Sequence, residues 1–139
     1  MKDRDFIDTN ILVYAYDTGH PRKQTIATGL LTQAVMDESA ILSTQVLSEF
    51  YTVVTGKIKK PLAPLKALSL IDTLAILPVQ EIDLAMIRRA IETGVEYHIS
   101  YWDSLIIAAA ERGGCNRILS EDLNSGQSYH GLVVHNPFI

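Results

Sequence analysis

Four acidic residues occupy positions at which burial of the carboxylate would lower stability unless the group is paired or binds a cation. They are Asp8, Glu49, Asp103 and Asp122. Asp8 and Asp122 follow short apolar segments typical of buried strands. Asp103 opens an almost wholly apolar helix, and Glu49 interrupts the apolar stripe of another. Carboxylates that cluster repel one another unless a divalent cation lies between them, and carboxylate oxygens with water suit Mg²⁺ or Mn²⁺. The four acids therefore predict a divalent-metal site, provided that the fold brings them together.

Each acid also has an ordinary structural explanation. Asp8, with Thr9 and Asn10 after it, is typical of a helix N-cap or an Asx turn. Glu49 can lie at the edge of its stripe, with its stem packed and its carboxylate in water. At this level, the metal site and the structural explanations both stand.

The same ambiguity applies to the second half of the chain. Ser100, three residues before Asp103, resembles part of a capping box, and an acid in the first turn suits the helix dipole. Asp122 lies in the turn-forming stretch Asp-Leu-Asn-Ser-Gly. Its neighbour Glu121 remains an alternative functional acid.

Strand and helix patterns alternate along the chain and would place these acids. Apolar segments too short for helices, typical of strands covered on both faces, are residues 6–7, 40–42, 75–79, 118–119 and 132–134. Helical spacing occupies residues 22–37, 44–56, 64–74, 81–94 and 103–112. The alternation predicts an α/β fold, a three-layer α/β/α sandwich with a central, mostly parallel sheet and a helical arm within 44–94.

Single residues refine this prediction. Pro78 predicts that the third strand lies at an edge of the sheet. Pro61 and Pro64 bracket the start of a helix. Gly113-Gly114 follows the alanine-rich helix and can supply a left-handed C-terminal cap.

Length and composition bound the class of protein. The 139 residues predict a single domain over 1–139, and 47% hydrophobic residues argue against disorder. We expect no membrane span and no secretory signal. Cys115 is the only cysteine, which fits a reducing cytoplasm, and it is more typical of a small packing residue than of a nucleophile. The net charge of −4 means that local basic groups or bound cations would have to offset it for nucleic acid to bind.

Four stretches of the sequence resemble a known family. "FIDTNIL", "TQVLSEFY", "YWDSLIIAAA" and "LSEDLNSGQ" are similar to the four signature segments of PIN-domain ribonucleases, above all the toxins of VapBC toxin–antitoxin pairs. The segments occur in the family's order and span residues 6–127, nearly the whole chain.

The resemblance implies an α/β/α domain whose acidic pocket binds one or two Mg²⁺ or Mn²⁺ ions. By motif, the family's four acids correspond in order to Asp8, Glu49, Asp103 and Asp122. Glu49 is either a metal ligand or a general base. The family cleaves the RNA backbone to leave a 5′-phosphate and a 3′-hydroxyl, and it forms homodimers and complexes with a cognate antitoxin.

Further residues are candidates for contacts with substrate or water. Ser120 lies where the family often has a threonine, and Asn10 belongs to the first motif. The basic candidates are Lys57, Lys59 and Lys60 in "GKIKK", together with Arg22 and Lys23. Tyr101 and Trp102 can stack on bases or simply pack in the protein. A solvated loop remains the alternative for the lysines.

The helices carry more apolar surface than one face can hide. Examples are Leu62, Leu65, Leu68, Leu70, Ile71, Leu74 and the stretch 26–35. This excess predicts burial by a partner, with a thicker core as the alternative. A PIN fold with a silent site, acting as an RNA- or protein-binding module, is the alternative to an enzyme.

Overall fold

The computed structural model describes residues 3–139. The strands are β1 (Asp5–Ile7), β2 (Ala40–Ser43), β3 (Val79–Gln80), β4 (Arg117–Leu119), β5 (Ser128–Tyr129) and β6 (Leu132–His135). The helices are α1 (Thr9–Tyr14), α2 (Pro21–Asp37), α3 (Thr44–Gly56), α4 (Pro64–Leu74), α5 (Leu84–Tyr97) and α6 (Tyr101–Arg112). No helix in the described part of the chain is long and apolar enough to span a membrane.

The strands form one sheet in the order β3-β2-β1-β4-β6-β5, parallel except for β5, which runs antiparallel to β6. The central strand β1 pairs Phe6 with Ile41 of β2 and with Ile118 of β4. Because the carboxyl ends of parallel strands meet at one edge of the sheet, the segments that follow β1, β2 and β4 lie together. Three of the four candidate acids belong to these segments.

Helices cover both faces of the sheet and confirm the three-layer α/β/α prediction. The apolar run of α6 is buried and packs against β2, β4 and β6, with α5 packed on α6. Helix α1 packs against α2 and α3, and α3 packs against α4. The alanine-rich sequence of α6 fits this position because small side chains allow a helix to approach a sheet closely.

Local signals fixed most of the helix boundaries. Helices α3 and α4 have the predicted limits, and Pro64 occupies the first turn of α4. Helix α5 begins three residues later than predicted because Asp83 is its N-cap and accepts a hydrogen bond from the backbone N–H of Met86 (2.9 Å). Gly114 has φ +70° and follows α6 in the predicted left-handed conformation.

Three local predictions differ from the structure. Residues 75–77 extend the end of α4 as turns, so β3 is only Val79–Gln80, at the predicted edge of the sheet. Helix α1 and strand β5 were not predicted. Strand β5 depends on a tight turn at His130 and Gly131, both with positive φ.

Candidate active site

Asp8 lies between β1 and α1 and is only 7% exposed. It is the N-cap of α1, and its Oδ1 accepts a hydrogen bond from the backbone N–H of Thr9 (2.7 Å). Its Oδ2 accepts a second hydrogen bond from the Ser120 hydroxyl (2.7 Å). The helix-cap prediction is therefore confirmed. Each carboxylate oxygen keeps a further lone pair, so capping leaves the group able to bind a cation.

Burial raises the pKa of Asp8 from 3.8 to about 6. The hydrogen bonds from Ser120 and Thr9 oppose this effect, while the charges of Asp122 and Glu49 add to it. A buried carboxylate with two acidic neighbours is a site where a divalent cation lowers the electrostatic free energy. The all-oxygen donor set also fits Mg²⁺ or Mn²⁺.

Glu49 extends from α3 towards the same place. Its Oε2 accepts a hydrogen bond from the Thr9 hydroxyl (2.7 Å), and its Oε1 accepts one from the side-chain amide of Gln45 (2.8 Å). Two donors from two different helices therefore fix the orientation of this carboxylate. Sequence reasoning singled out neither donor. Gln45 stands one helical turn before Glu49, a spacing at which side chains meet.

Ser120 connects two of the acids. Its hydroxyl donates to Asp8 and accepts hydrogen bonds from the backbone N–H groups of Asp122 (3.1 Å) and Leu123 (3.2 Å). The side chain is fully buried. In the structure, the hydroxyl orients Asp8 and the turn that carries Asp122, and its contact with substrate or water stays a prediction.

Asp103 lies in the first turn of α6, where its backbone N–H donates to Ser100 Oγ (3.1 Å), as predicted from the cap. No contact described in the structure joins its carboxylate to Asp8. Within residues 3–139, no three Asp, Glu, His or Cys side chains stand at a spacing that would hold a metal ion. The structure thus couples Asp8 to Glu49 and Asp122 through their charges.

A cleft of about 860 Å³ opens beside these acids. Its lining includes Glu49 and Asp122 together with the basic residues Lys57 and Lys59. Lys60 is not part of this lining, although the sequence grouped it with the other two lysines. The cleft therefore combines acidic groups that suit a metal with basic groups that suit a phosphate backbone.

Asn10 also lines the cleft. Its Oδ1 accepts a hydrogen bond from the backbone N–H of Glu121 (3.3 Å), while its Nδ2 is buried and has no hydrogen-bond partner among residues 3–139. A buried amide without a partner is unusual in proteins. The free donor is consistent with the predicted contact between Asn10 and a water molecule or substrate.

Glu121 forms an ion pair at the rim of the cleft. It accepts hydrogen bonds from Lys23 and from the Tyr14 hydroxyl (2.7 Å). Burial raises its pKa, but these hydrogen bonds outweigh burial, so the net pKa lies below the ordinary value. Glu121 and Lys23 therefore neutralise each other. This pairing favours Asp122 over Glu121 as the functional acid.

Three further residues considered from the sequence, Arg22, Trp102 and Cys115, differ in their exposure and contacts. Arg22 donates to the backbone carbonyl of Phe138 (2.9 Å). Trp102 is 63% exposed and packs edge-on against Tyr101, with ring centroids 5.1 Å apart. Burial raises the pKa of the Cys115 thiol to about 12, which argues against a nucleophile, as predicted.

Comparisons with solved structures show the fold of the chain. VapC20 of Mycobacterium tuberculosis, described as a sarcin–ricin-loop-cleaving toxin, is 20% identical with a TM-score of 0.67, covering 85% of this chain and 91% of that chain. VapBC2 of Rickettsia felis, bound to a promoter DNA fragment, is 21% identical with a TM-score of 0.68, covering 95% and 97%. DNA-bound VapBC of Salmonella typhimurium is 17% identical with a TM-score of 0.64, covering 97% and 98%. At these identities, the likeness shows the fold alone.

Sequence comparison identifies the family. A comparison with curated proteins gives no match. The family model described as "PIN domain" matches residues 6–125, from β1 to beyond β4, and includes all four candidate acids. On this match and the architecture above, the chain belongs to the PIN domain family.

Proposed function

We propose that this chain is a Mg²⁺- or Mn²⁺-dependent endoribonuclease that acts in the cytoplasm as the toxin of a type II toxin–antitoxin pair. The observation that carries the proposal is Asp8, a buried carboxylate with a pKa near 6 that feels the charges of Glu49 and Asp122 beside an open cleft. PIN-family membership and a fold shared with VapC20, a sarcin–ricin-loop-cleaving toxin by its description, support the reaction class.

Asp8 and Asp103 are our first choices as metal ligands. Asp122 would bind a second ion or hold water, and Glu49 would be a ligand or a general base. A bound ion supplies an activated water and neutralises charge on the phosphodiester. Thr9 orients Glu49 through its hydroxyl.

The RNA backbone would run along the basic part of the cleft. Lys57 and Lys59 line it with Glu49 and Asp122, so phosphate groups can contact the lysines while one of them lies near these acids. Exposed Trp102 offers a stacking surface for a base. The bound cations and these lysines would offset the net charge of −4 locally.

Removal of the metal tests the proposal. We expect end-labelled RNA to be cut in Mn²⁺ or Mg²⁺ and left intact in EDTA, because the carboxylates alone repel the phosphodiester. The fragments should carry a 5′-phosphate, which is detected by direct ligation, and a 3′-hydroxyl. A chain that binds diverse RNAs but cuts none of them in Mn²⁺ would instead be a silent PIN-fold binding module.

We extend the proposal to an antitoxin, a small protein encoded by a neighbouring gene. An apolar groove of about 340 Å³ lies between α2 and the end of α4. Its lining includes Val35, Met36 and Ile76, all exposed. An apolar helix of the partner would bury these side chains, and the VapBC complexes with the same fold support this class of partner.

We also propose a homodimer through α5. Leu84, Ile91 and Val95 form an exposed apolar stripe on this helix. If two copies of α5 pack antiparallel, Leu84 of one faces Val95 of the other. Arg88 then lies near Glu92 of the second copy. This opposite charge makes the stripe complementary to itself.

The two surfaces should be separable by mutation. We expect Val35→Asp with Met36→Asp to abolish binding of the antitoxin and leave the dimer intact. Ile91→Asp with Val95→Asp should give a monomer of 15.4 kDa that still binds the antitoxin. Light scattering during size-exclusion chromatography, with and without the antitoxin, measures both effects. A wild-type monomer would contradict the dimer, and unchanged antitoxin binding by the α2 variant would contradict the groove.

A further inference from the structure

Gln45 is a buried polar residue that no sequence motif assigned a role. It is the second residue of α3 and is 6% exposed. We propose that Gln45 is a positioning residue, which holds Glu49 and ties the first turn of α6, with Asp103, to α3. This inference rests on the proposed function, because it concerns the same metal site.

The geometry gives Gln45 two simultaneous tasks. Its Nε2 donates to Glu49 Oε1 (2.8 Å) and to the backbone carbonyl of Trp102 (3.1 Å). Both partners are acceptors, so only the NH₂ end of the amide can face them. In residues 3–139, this is the one side-chain hydrogen bond that joins α3 to α6.

The other end of the amide argues against a purely structural role. Gln45 Oε1 is buried and has no hydrogen-bond partner in the described residues. An unsatisfied buried carbonyl lowers stability, and an apolar side chain of the same size would avoid this cost. The side chain therefore donates hydrogen bonds to Glu49 and to the carbonyl of Trp102, while its own carbonyl oxygen is left without one.

Hydrogen bonds continue from Gln45 to the centre of the site. Gln45 bonds to Glu49, Glu49 to the Thr9 hydroxyl, and the Thr9 backbone N–H to Asp8. The series thus starts at the carbonyl of Trp102, next to Asp103, and ends at Asp8. It links α6, α3 and α1, the helices that carry three of the four acids. Loss of Gln45 would free Glu49 on one side and release the turn that holds Asp103.

The variant Gln45→Met tests this role because methionine has a similar size and donates no hydrogen bond. We expect Mn²⁺ affinity, measured by calorimetry, to fall about tenfold, as is typical when a residue that orients a metal ligand is lost. In RNA cleavage, kcat should fall while KM stays unchanged, because Gln45 lies outside the lining of the cleft. Trp102 is the only tryptophan, so its fluorescence anisotropy decay reports the release of the α6 turn directly.

A matched control lies on α2. Gln33 also donates to an acid one turn later, Asp37 (2.7 Å), but on the exposed surface away from the site. Gln33→Met should leave Mn²⁺ affinity, kcat and Trp102 mobility at wild-type values. If Gln45→Met does not fold, Gln45→Asn keeps the amide but is one methylene shorter, so it cannot reach both acceptors, and the same losses are expected.

The outcomes distinguish this inference from the proposed function. If the wild-type chain takes up Mn²⁺ and the Gln45 variants match it in Mn²⁺ affinity and Trp102 mobility, the positioning role alone is overturned. The positioning role alone is also overturned if the Gln45 variants lose thermal stability but no Mn²⁺ affinity or activity. A wild-type chain that takes up no Mn²⁺ would overturn the proposed function and, with it, the positioning role.

Discussion

Asp8→Asn is expected to reduce Mn²⁺-dependent RNA cleavage on the order of a thousandfold while the fold is retained. The substitution removes a negative charge at the centre of the proposed metal site but keeps the size of the side chain. Loss of metal-assisted charge stabilisation is worth several kcal/mol, and about 4 kcal/mol corresponds to three powers of ten in rate. Asparagine is also a good N-cap, so the cap of α1 should persist.

The control for this experiment is an aspartate far from the cleft. Asp72 is an exposed residue of α4, outside the cleft lining, and Asp72→Asn should cleave RNA at the wild-type rate. Single-turnover assays with saturating Mn²⁺ measure the chemical step, and circular dichroism checks the fold. Wild-type activity in folded Asp8→Asn would remove Asp8 from the site.

The second large effect concerns stability in the absence of metal. The pKa of Asp8 is about 6 in the folded protein against an ordinary value of 3.8, so the folded state holds this proton more tightly than the unfolded state. Below about pH 4, Asp8 is protonated in both states and carries no penalty. Between about pH 4 and pH 6, the unfolded state ionises Asp8 readily whereas the folded state keeps the proton, so rising pH favours the unfolded state. The free energy of unfolding should fall by about 3 kcal/mol across this window and stay level above it.

Asp8→Asn isolates this effect because asparagine does not titrate. Urea unfolding of both proteins in EDTA, from about pH 4 to pH 7.5, gives the difference between their free energies of unfolding, in which the titrating groups that do not interact with Asp8 cancel. The variant should become the more stable protein as the pH rises. Mn²⁺ should remove part of this advantage by stabilising the wild type. A difference that is constant with pH would contradict a raised pKa at Asp8.

Much of the fold was predictable because its signals are local. The apolar spacing predicts helices α3 and α4. Helix α3 begins after its N-cap Ser43, and α4 begins at Pro64. Helix α1 was missed because its six residues include the run Ile-Leu-Val, which looks equally like a strand, and only the cap at Asp8 and packing against α2 and α3 settle it. Strand β5 has two residues and is defined by its pairing with β6 alone.

The site was predictable in its residue types but not in its contacts. The ends of parallel strands meet at one edge, so Asp8 and Asp122 could be placed together from the sequence. The direction of a side chain depends on tertiary partners that a pattern does not reveal. Ser120 turned out to be buried under Asp8, and Glu121 paired with Lys23.

Calorimetric titration of the metal-free protein with Mn²⁺ tests the central claim most directly. If Asp8, Glu49, Asp103 and Asp122 share divalent ions, the wild type should bind one or two Mn²⁺ per chain. Asp8→Asn should lose this binding, while Asp72→Asn should keep it. Absence of Mn²⁺ binding by the wild type, or equal binding by Asp8→Asn, would contradict the account.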